Sequence, residues 1–400
     1  MLSVAEAIRI VKEQTKQLPA EPVPLADALS RVLAEDVVAD SDLPPFDRAQ
    51  MDGYAVRSAD TTNAAACLRV VGEAAAGRGW NGEMKAGEAV RIMTGAPVPS
   101  GADSVQKVEV TVESNGVVEI AEATRPGQFI VKRATEIKAG ETVLRAGEEI
   151  NAARMAALAS FGYAEVKVGV RPRVAVLATG SELVAVNAQP GADQIRDSNT
   201  YSLGAYAQLA GAKVERLPLA GDDPELLQRE IAEAAARSDA LILSGGVSMG
   251  VYDFTKAALR ALDAEIFFER VSLRPGKPTV FARLGQTLIF GLPGNPVSVS
   301  VTFNLFARTA LRAMQGCTES AMTEEWAVLV KGVKGARERE SYLPARLGTD
   351  EDGRLLAELL KWGGSSDFVA FASATALVIV PEGVPFIDGG AKVRVVRLPG

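Results

Sequence analysis

Not one of the 400 residues is a histidine. That absence removes Ser-His-Asp and Cys-His nucleophile systems, the HExxH zinc helix and any imidazole acid or base. Catalysis must therefore rest on carboxylates, cations, hydroxyls, backbone dipoles or a hard metal. Cysteine is nearly as scarce. Cys67 and Cys317 lie far apart, which excludes a CxxC motif and a disulfide framework and fits a reducing, cytoplasmic setting. A cationic surplus is missing too: 43 Lys+Arg against 50 Asp+Glu leave a formal net charge of −7. Broad electrostatic capture of nucleic acid or of an anionic membrane surface is thereby excluded, and an anionic ligand needs a local cationic pocket. Long hydrophobic runs are limited to 284–307, which carries no charge and is long enough to span a membrane. Its interior, Gly291-Leu292-Pro293-Gly294-Asn295-Pro296 followed by alternating Ser and Val, reads instead as strand, turn and helix. The opening 1–18 is broken by Glu6, Arg9, Lys12, Glu13 and Lys16, so it lacks a signal peptide's apolar core and reads as an amphipathic helix.

What is present is globular, with 48% hydrophobic and 23% charged residues. At about 150 residues per domain the length implies several domains. The clearest pattern runs from 171 to 320, where β-type runs near 174–177, 214–218, 240–243, 266–271, 279–282 and 287–290 alternate with helical stretches. One helix opens at Asp222-Asp223-Pro224-Glu225, with an Asp available as N-cap and Pro at the first helical position. Another runs from Pro296 to about Met314. The alternation predicts a mainly parallel, doubly wound α/β sheet. Residues 1–40 show two helical patterns, separated by Pro19, Pro22 and Pro24. From 65 to 145 short extended runs predominate, with a hairpin signal at Ser114-Asn115-Gly116, and 152–161 returns to helix. Short strands near 327–330, 376–380 and 392–396 predict a small barrel or sandwich.

Two segments of the α/β region point to anions. Ser244-Gly245-Gly246-Val247-Ser248-Met249-Gly250 joins a strand end to a helix start, where free N–H groups and the helix dipole attract phosphate. Asp253, which follows, either caps that helix or holds a divalent cation beside phosphates. Arg270, Arg274 and Lys277 place three cations within eight residues around a Pro-Gly turn, a set suited to a compact oxyanion. In a doubly wound sheet the loops at the strand carboxyl ends share a crevice. Thr179-Gly180-Ser181-Glu182, the 244–253 loop and Gly291 to Pro296, including Pro293, Asn295 and Pro296, are therefore expected at one site, with Ser298 just inside the next helix.

Six ordered motifs complete the reading: Met51-Asp52-Gly53-Tyr54-Ala55, Met93-Thr94-Gly95-Ala96-Pro97, Thr179-Gly180-Ser181-Glu182-Leu183, Ser244-Gly245-Gly246-Val247-Ser248, Arg274-Pro275-Gly276-Lys277-Pro278 and Gly291-Leu292-Pro293-Gly294-Asn295-Pro296. Together they resemble the molybdopterin molybdenumtransferase family, which includes the C-terminal domain of gephyrin. The resemblance implies a multidomain α/β fold. Its parts are a discontinuous N-terminal domain (1–41 and 140–170), an inserted β-rich module (42–139), a central doubly wound molybdopterin-binding α/β domain (171–320) and a C-terminal β-barrel (321–400). It implies conversion of adenylylated molybdopterin and molybdate to molybdenum cofactor and AMP with Mg²⁺. Asp52, Thr94, Glu182, Asp222 and Asp253 then match functional positions, with Asp253 as metal ligand. Arg274, Lys277 and Ser298 match a molybdate pocket completed by Arg346 and Ser366. A homodimer is implied, with transient contact to a molybdopterin adenylyltransferase and to molybdoenzymes or their chaperones. Two departures stand out: Glu136 occupies an acidic position usually held by Asp, and Arg270 and Arg274 stand where lysine is common. The related adenylyltransferase activity and a non-catalytic, gephyrin-like scaffold are the alternatives.

Overall fold

The computed structural model describes residues 1–63, 65–221, 223–246 and 254–399. The chain forms two compact units, one of Met1–Glu35, Ala146–Ala152 and Glu165–Gly400, the other of Asp36–Arg145 and Ala153–Ala164. It opens on α1 (Val4–Gln14), as its pattern predicts: the Ser3 hydroxyl accepts from Glu6 N, and Val4, Ala7 and Val11 turn one apolar stripe inward. The second helical pattern within 1–40 does not become an α-helix. Beyond a single 3₁₀ turn at Leu25–Asp27, Val32 and Leu33 bridge to Glu149 and Val168, and Ala20–Pro24 pairs antiparallel with Glu165–Gly169. Pairing with distant chain outweighs weak local propensity there, and the prolines between the two patterns cannot propagate a helix.

The smaller unit is built on a six-stranded sheet of β1 (Gly53–Val56), β2 (Ala66–Ala74), β3 (Glu88–Ile92), β4 (Ser104–Lys107), β5 (Thr111–Ser114) and β6 (Val117–Ile120), in the order β4-β1-β3-β2-β6-β5. Only β2 and β3 pair parallel. The β5–β6 hairpin turns at Asn115 and Gly116, whose φ of 50° and 75° are the left-handed values a two-residue turn of this kind requires. Both faces of the sheet are covered: Ala55, Val90, Ile92 and Val105 pack in one apolar cluster, and Tyr54, Val56, Leu68 and Val118 in another. Helix α2 (Ala152–Ser160) lies in this unit from its second residue onward.

In the larger unit a six-stranded sheet runs in the order β8-β7-β9-β12-β11-β10, where β7 is Arg173–Ala178, β8 Lys213–Arg216, β9 Ala240–Ser244, β10 Glu265–Phe268, β11 Val280–Leu284 and β12 Thr287–Leu292. The first four in that order are parallel, and β11 and β10 are antiparallel additions at one edge. Side-chain alternation splits the core across the sheet. Val174, Val176, Ile242 and Phe290 pack with α1 and α3 (Asn199–Leu209), whereas Ala175, Leu177, Leu241 and Ile289 pack with α4 (Pro224–Arg237) and α5 (Phe254–Ala261). That is the doubly wound arrangement expected. Asp223 caps α4, accepting from Glu225 N and Leu226 N, with Pro224 at the first helical position.

The helix expected from Pro296 to Met314 forms, but as α6 (Pro296–Thr302) and α7 (Arg308–Met314) joined by a π-helical turn, Phe303–Ala307. Its hydroxyls and amide bond back one turn: Ser300 Oγ donates to Pro296 O, Thr302 Oγ1 to Ser298 O and Asn304 Nδ2 to Ser300 O. Such back-bonding competes with the regular ladder and accommodates the widened turn. The charge-free 284–307 stretch is thus strand, turn and helix. Among the described residues no helix is long and apolar enough to cross a membrane.

Beyond α7 lies the barrel: β13 (Glu324–Leu329), β14 (Glu340–Thr349), β15 (Leu355–Leu359), β16 (Ala376–Val380) and β17 (Lys392–Arg397) pair in the cycle β14-β15-β13-β17-β16-β14. Antiparallel pairing from Ser341↔Val380 to Ala345↔Ala376 closes it. β14, the longest strand, carries Pro344, which disguises it in the sequence. A short strand, Leu273–Arg274, pairs parallel with the start of β14, Arg274 against Ser341.

Candidate functional site

The parallel strands align their carboxyl ends: Ala178 lies beside Ser244, and Ser244 beside Leu292. The loops at Thr179–Gly180, Gly245–Gly246 and Pro293–Asn295 therefore emerge side by side at the point where strand order reverses, the usual place for ligands in such sheets. Gly245 N donates to Leu292 O at 3.2 Å. Gly245 has φ of 94°, and a Cβ there would stand 2.5 Å from Thr179 O, so glycine is required where the loops converge. Glu182 is exposed and folds its carboxylate against Gly180. The Asn199 amide donates to both Ser244 Oγ and Gly294 O, tying two of the loops together.

Next to these loops a cavity of about 650 Å³ opens, lined on the α/β side by Arg274, Lys277, Pro293, Asn295 and Ser298. Five expected positions thus meet in one place. Gly276, with φ of 115°, lays the Arg274–Lys277 turn against the Thr302 methyl, where a side chain would collide. The barrel side contributes Lys334, Arg339, Trp362 and Ser365. Asn295 Nδ2 donates to Ser365 Oγ at 2.9 Å and Val297 N to Ser365 O at 3.0 Å, fastening the loop after β15 to the start of α6. Among the described residues four cationic side chains line the cavity and no carboxylate does. Among the described residues, none of those four side chains has a hydrogen-bond or ion-pair partner. Elsewhere on the chain arginines are commonly matched to carboxylates, as in Arg31–Glu21, Arg173–Asp239 and Arg397–Glu325. A cavity with four unmatched cations and several hydroxyl and amide groups is suited to a multiply charged oxyanion.

Arg270 is exposed and does not line the cavity. Arg346 is exposed on β14 with Nε donating to Ser373 O at 3.2 Å, and Ser366 is exposed; neither lines it. On the barrel side Lys334, Arg339 and Ser365 line it. In sequence Lys334 and Arg339 belong to a charged run that reads as a solvated face, and Ser365 differs from Ser366 by a single register step. Asp222, Ser248, Gly250 and Asp253 lie outside the described residues. Among the described residues no group of three or more Cys, Asp or Glu could hold a metal ion.

In the smaller unit, register brings Asp52 and Thr94 together, since Gly53 pairs with Ile92. Thr94 N donates to Asp52 Oδ1 at 2.6 Å. That backbone bond, followed by one from the Thr94 hydroxyl, holds the exposed Asp52 carboxyl below its ordinary value, because both donors favour the charged form. Thr94→Val should therefore raise the Asp52 pKa only part of the way to the ordinary value, as the larger, backbone contribution stays. An NMR pH titration of the carboxyl carbon checks this, and full restoration would assign the shift to the hydroxyl instead. Glu136 accepts from Arg48 Nη2 at 3.3 Å, a surface ion pair within the same unit.

Three family profiles match in order: "MoeA N-terminal region (domain I and II)" over residues 2–162, "Probable molybdopterin binding domain" over 175–313 and "MoeA C-terminal region (domain IV)" over 327–398. The chain is similar to a molybdopterin molybdenumtransferase of Nostoc sp., 38% identical over 98% of this chain and 91% of that one. A protein of the same name from Staphylococcus aureus is 35% identical over 99% of this chain and 95% of its own length. The crystal structure of the molybdopterin biosynthesis moea protein from Pyrococcus horikosii superposes with a TM-score of 0.81, at 31% identity, covering all of both chains.

Proposed function

We propose, from the premise that this chain belongs to the molybdopterin molybdenumtransferase family, that it inserts molybdate into adenylylated molybdopterin, releasing AMP and molybdenum cofactor. The observation that carries the reading is the cavity of four cations, without partners among the described residues, next to the strand-end loops. The chemistry must bring a pyrophosphate and a tetrahedral oxyanion together, two anions that repel each other in water. Backbone amides of the Ser244–Gly246 loop receive the phosphates. Arg274 and Lys277, joined by Lys334 and Arg339 across the cavity, attract molybdate and offset its charge, while Asn295, Ser298 and Ser365 orient it. We assign the barrel's share of this pocket to Arg339 and Ser365, in place of Arg346 and Ser366. Glu182, Asp222, Asp52 and Thr94 orient pterin or water.

Mg²⁺ accompanying the pyrophosphate would supply charge neutralisation on the leaving phosphate. The described residues do not by themselves assemble such a site, but an ion shared with phosphates needs only one or two protein carboxylates. We assign that role to Asp253. Asp253→Asn is expected to slow AMP release roughly 10²-fold or more while leaving thermal denaturation almost unchanged; parallel losses of activity and stability would assign Asp253 to helix capping instead. A cytoplasmic homodimer, in transient contact with the adenylyltransferase upstream and with molybdoenzymes or their chaperones downstream, belongs to the same proposal.

The direct test supplies adenylylated molybdopterin, Mg²⁺ and molybdate and follows AMP. Release that requires molybdate is the expected result. Molybdate-independent adenylyl transfer from ATP would instead show the preceding reaction, and binding without turnover a scaffold.

A further inference from the structure

Asn199 begins α3, and the residues before it hold that helix end in place. The buried Asp197 carboxylate accepts from Thr200 N at 3.0 Å and also from the Thr200 hydroxyl. From this anchored position Asn199 Nδ2 donates to Ser244 Oγ at 2.8 Å and to Gly294 O at 2.7 Å. The amide has only one sensible orientation. Gly294 O is purely an acceptor, so the nitrogen must face it, and the flipped amide would set two oxygens against each other. In consequence Asn199 Oδ1 is buried with no donor among the described residues. A group left unsatisfied in this way is tolerated when the bonds made on the other side hold it there.

The same orientation controls Ser244. Its oxygen spends a lone pair on Asn199, and among the described residues its own proton has no acceptor. Ser244 ends β9, immediately before the Gly245–Gly246 turn. We propose that Asn199 is a positioning residue: its amide latches the loop after β9 to the loop after β12 and leaves the Ser244 hydroxyl as a hydrogen-bond donor for a substrate phosphate. The proposal rests on the phosphate-binding reading of the Ser244–Gly246 loop given above.

The test measures AMP binding by calorimetry to the full chain and to Asn199→Ala, Ser244→Ala and the double variant, with thermal denaturation alongside. Each single substitution should weaken AMP about 10-fold. If Asn199 acts through Ser244, the double variant loses no more than either single one. Additive losses, or unchanged binding in Asn199→Ala, overturn the proposal. Asn199→Asp preserves shape but cannot donate to Gly294 O and draws the Ser244 proton onto its own carboxylate, so it should lose AMP at least as severely when measured well below its unfolding transition. Retained AMP affinity in that variant overturns the proposal as well. Failure of the unsubstituted chain to bind AMP would instead remove the phosphate-site reading, and the positioning role with it.

Discussion

Substituting both Arg274 and Lys277 with alanine is expected to raise the molybdate KM of AMP release by roughly 10²- to 10⁴-fold, on the basis of about 1.5–3 kcal/mol for each hydrogen bond to a charged group. The size follows from where the two cations stand. They line the same cavity as Lys334 and Arg339, and among the described residues no carboxylate there competes for them and their side chains have no partner. Removing them takes away interactions made only with the ligand, so little folding energy should be lost. AMP binding, governed by the loop after β9, should change far less than molybdate dependence. A parallel collapse of AMP binding and molybdate KM would show that the cavity and the loop do not divide the two anions as proposed. Arg339→Ala and Arg346→Ala, measured in the same assay, separate the two assignments of the barrel's cation. A rise in molybdate KM from Arg339→Ala alone supports the cavity, and a rise from Arg346→Ala alone refutes it.

Phe281→Ala should produce the largest loss of stability, about 3–5 kcal/mol by the usual cost of deleting a buried aromatic ring. Phe281 is 0% exposed on β11, directly opposite Phe290 of β12, with ring centroids 5.0 Å apart. Phe267 and Phe268 pack on it from β10 at 5.1 and 5.5 Å. One substitution thus opens a cavity between three remaining rings. The consequence reaches the site, because β11 follows the Arg274–Lys277 turn and β12 leads into Pro293 and Asn295. Urea denaturation should show the transition at markedly lower denaturant, and Phe281→Leu should recover most of the loss. An unchanged midpoint would mean that neighbouring rings collapse to fill the space. Residual activity at low temperature, where the variant still folds, distinguishes this loss from damage to the chemistry.

Much of the architecture was legible because its causes are local. Alternating apolar runs predicted the mainly parallel sheet from Arg173 to Leu292, Asp223-Pro224 announced the start of α4, and Asn115-Gly116 marked a hairpin. Where local causes conflict with distant ones, the reading failed. The second helical pattern within 1–40 is pulled largely into extended pairings, and β14 carries a proline that argues against a strand until its partners on both sides are seen. The regular helix expected from Pro296 to Met314 contains a π turn, accommodated by hydroxyls and an amide bonding back along it.

Composition and order alone excluded histidine chemistry, required any anion to be held by a local pocket, and placed the glycine loops at strand ends. These conclusions need only residue types and their spacing along one stretch of chain. Which barrel residues meet those loops was decided in three dimensions. Closing β14 against β16, with Arg274 seated against Ser341, brings Lys334 and Arg339 into the cavity, and the bonds from Asn295 and Val297 select Ser365 over its neighbour. The physical reason is strand and loop register: a one-residue step turns a side chain to the opposite face, and register between segments distant in sequence is set by packing and hydrogen bonding rather than by either segment alone.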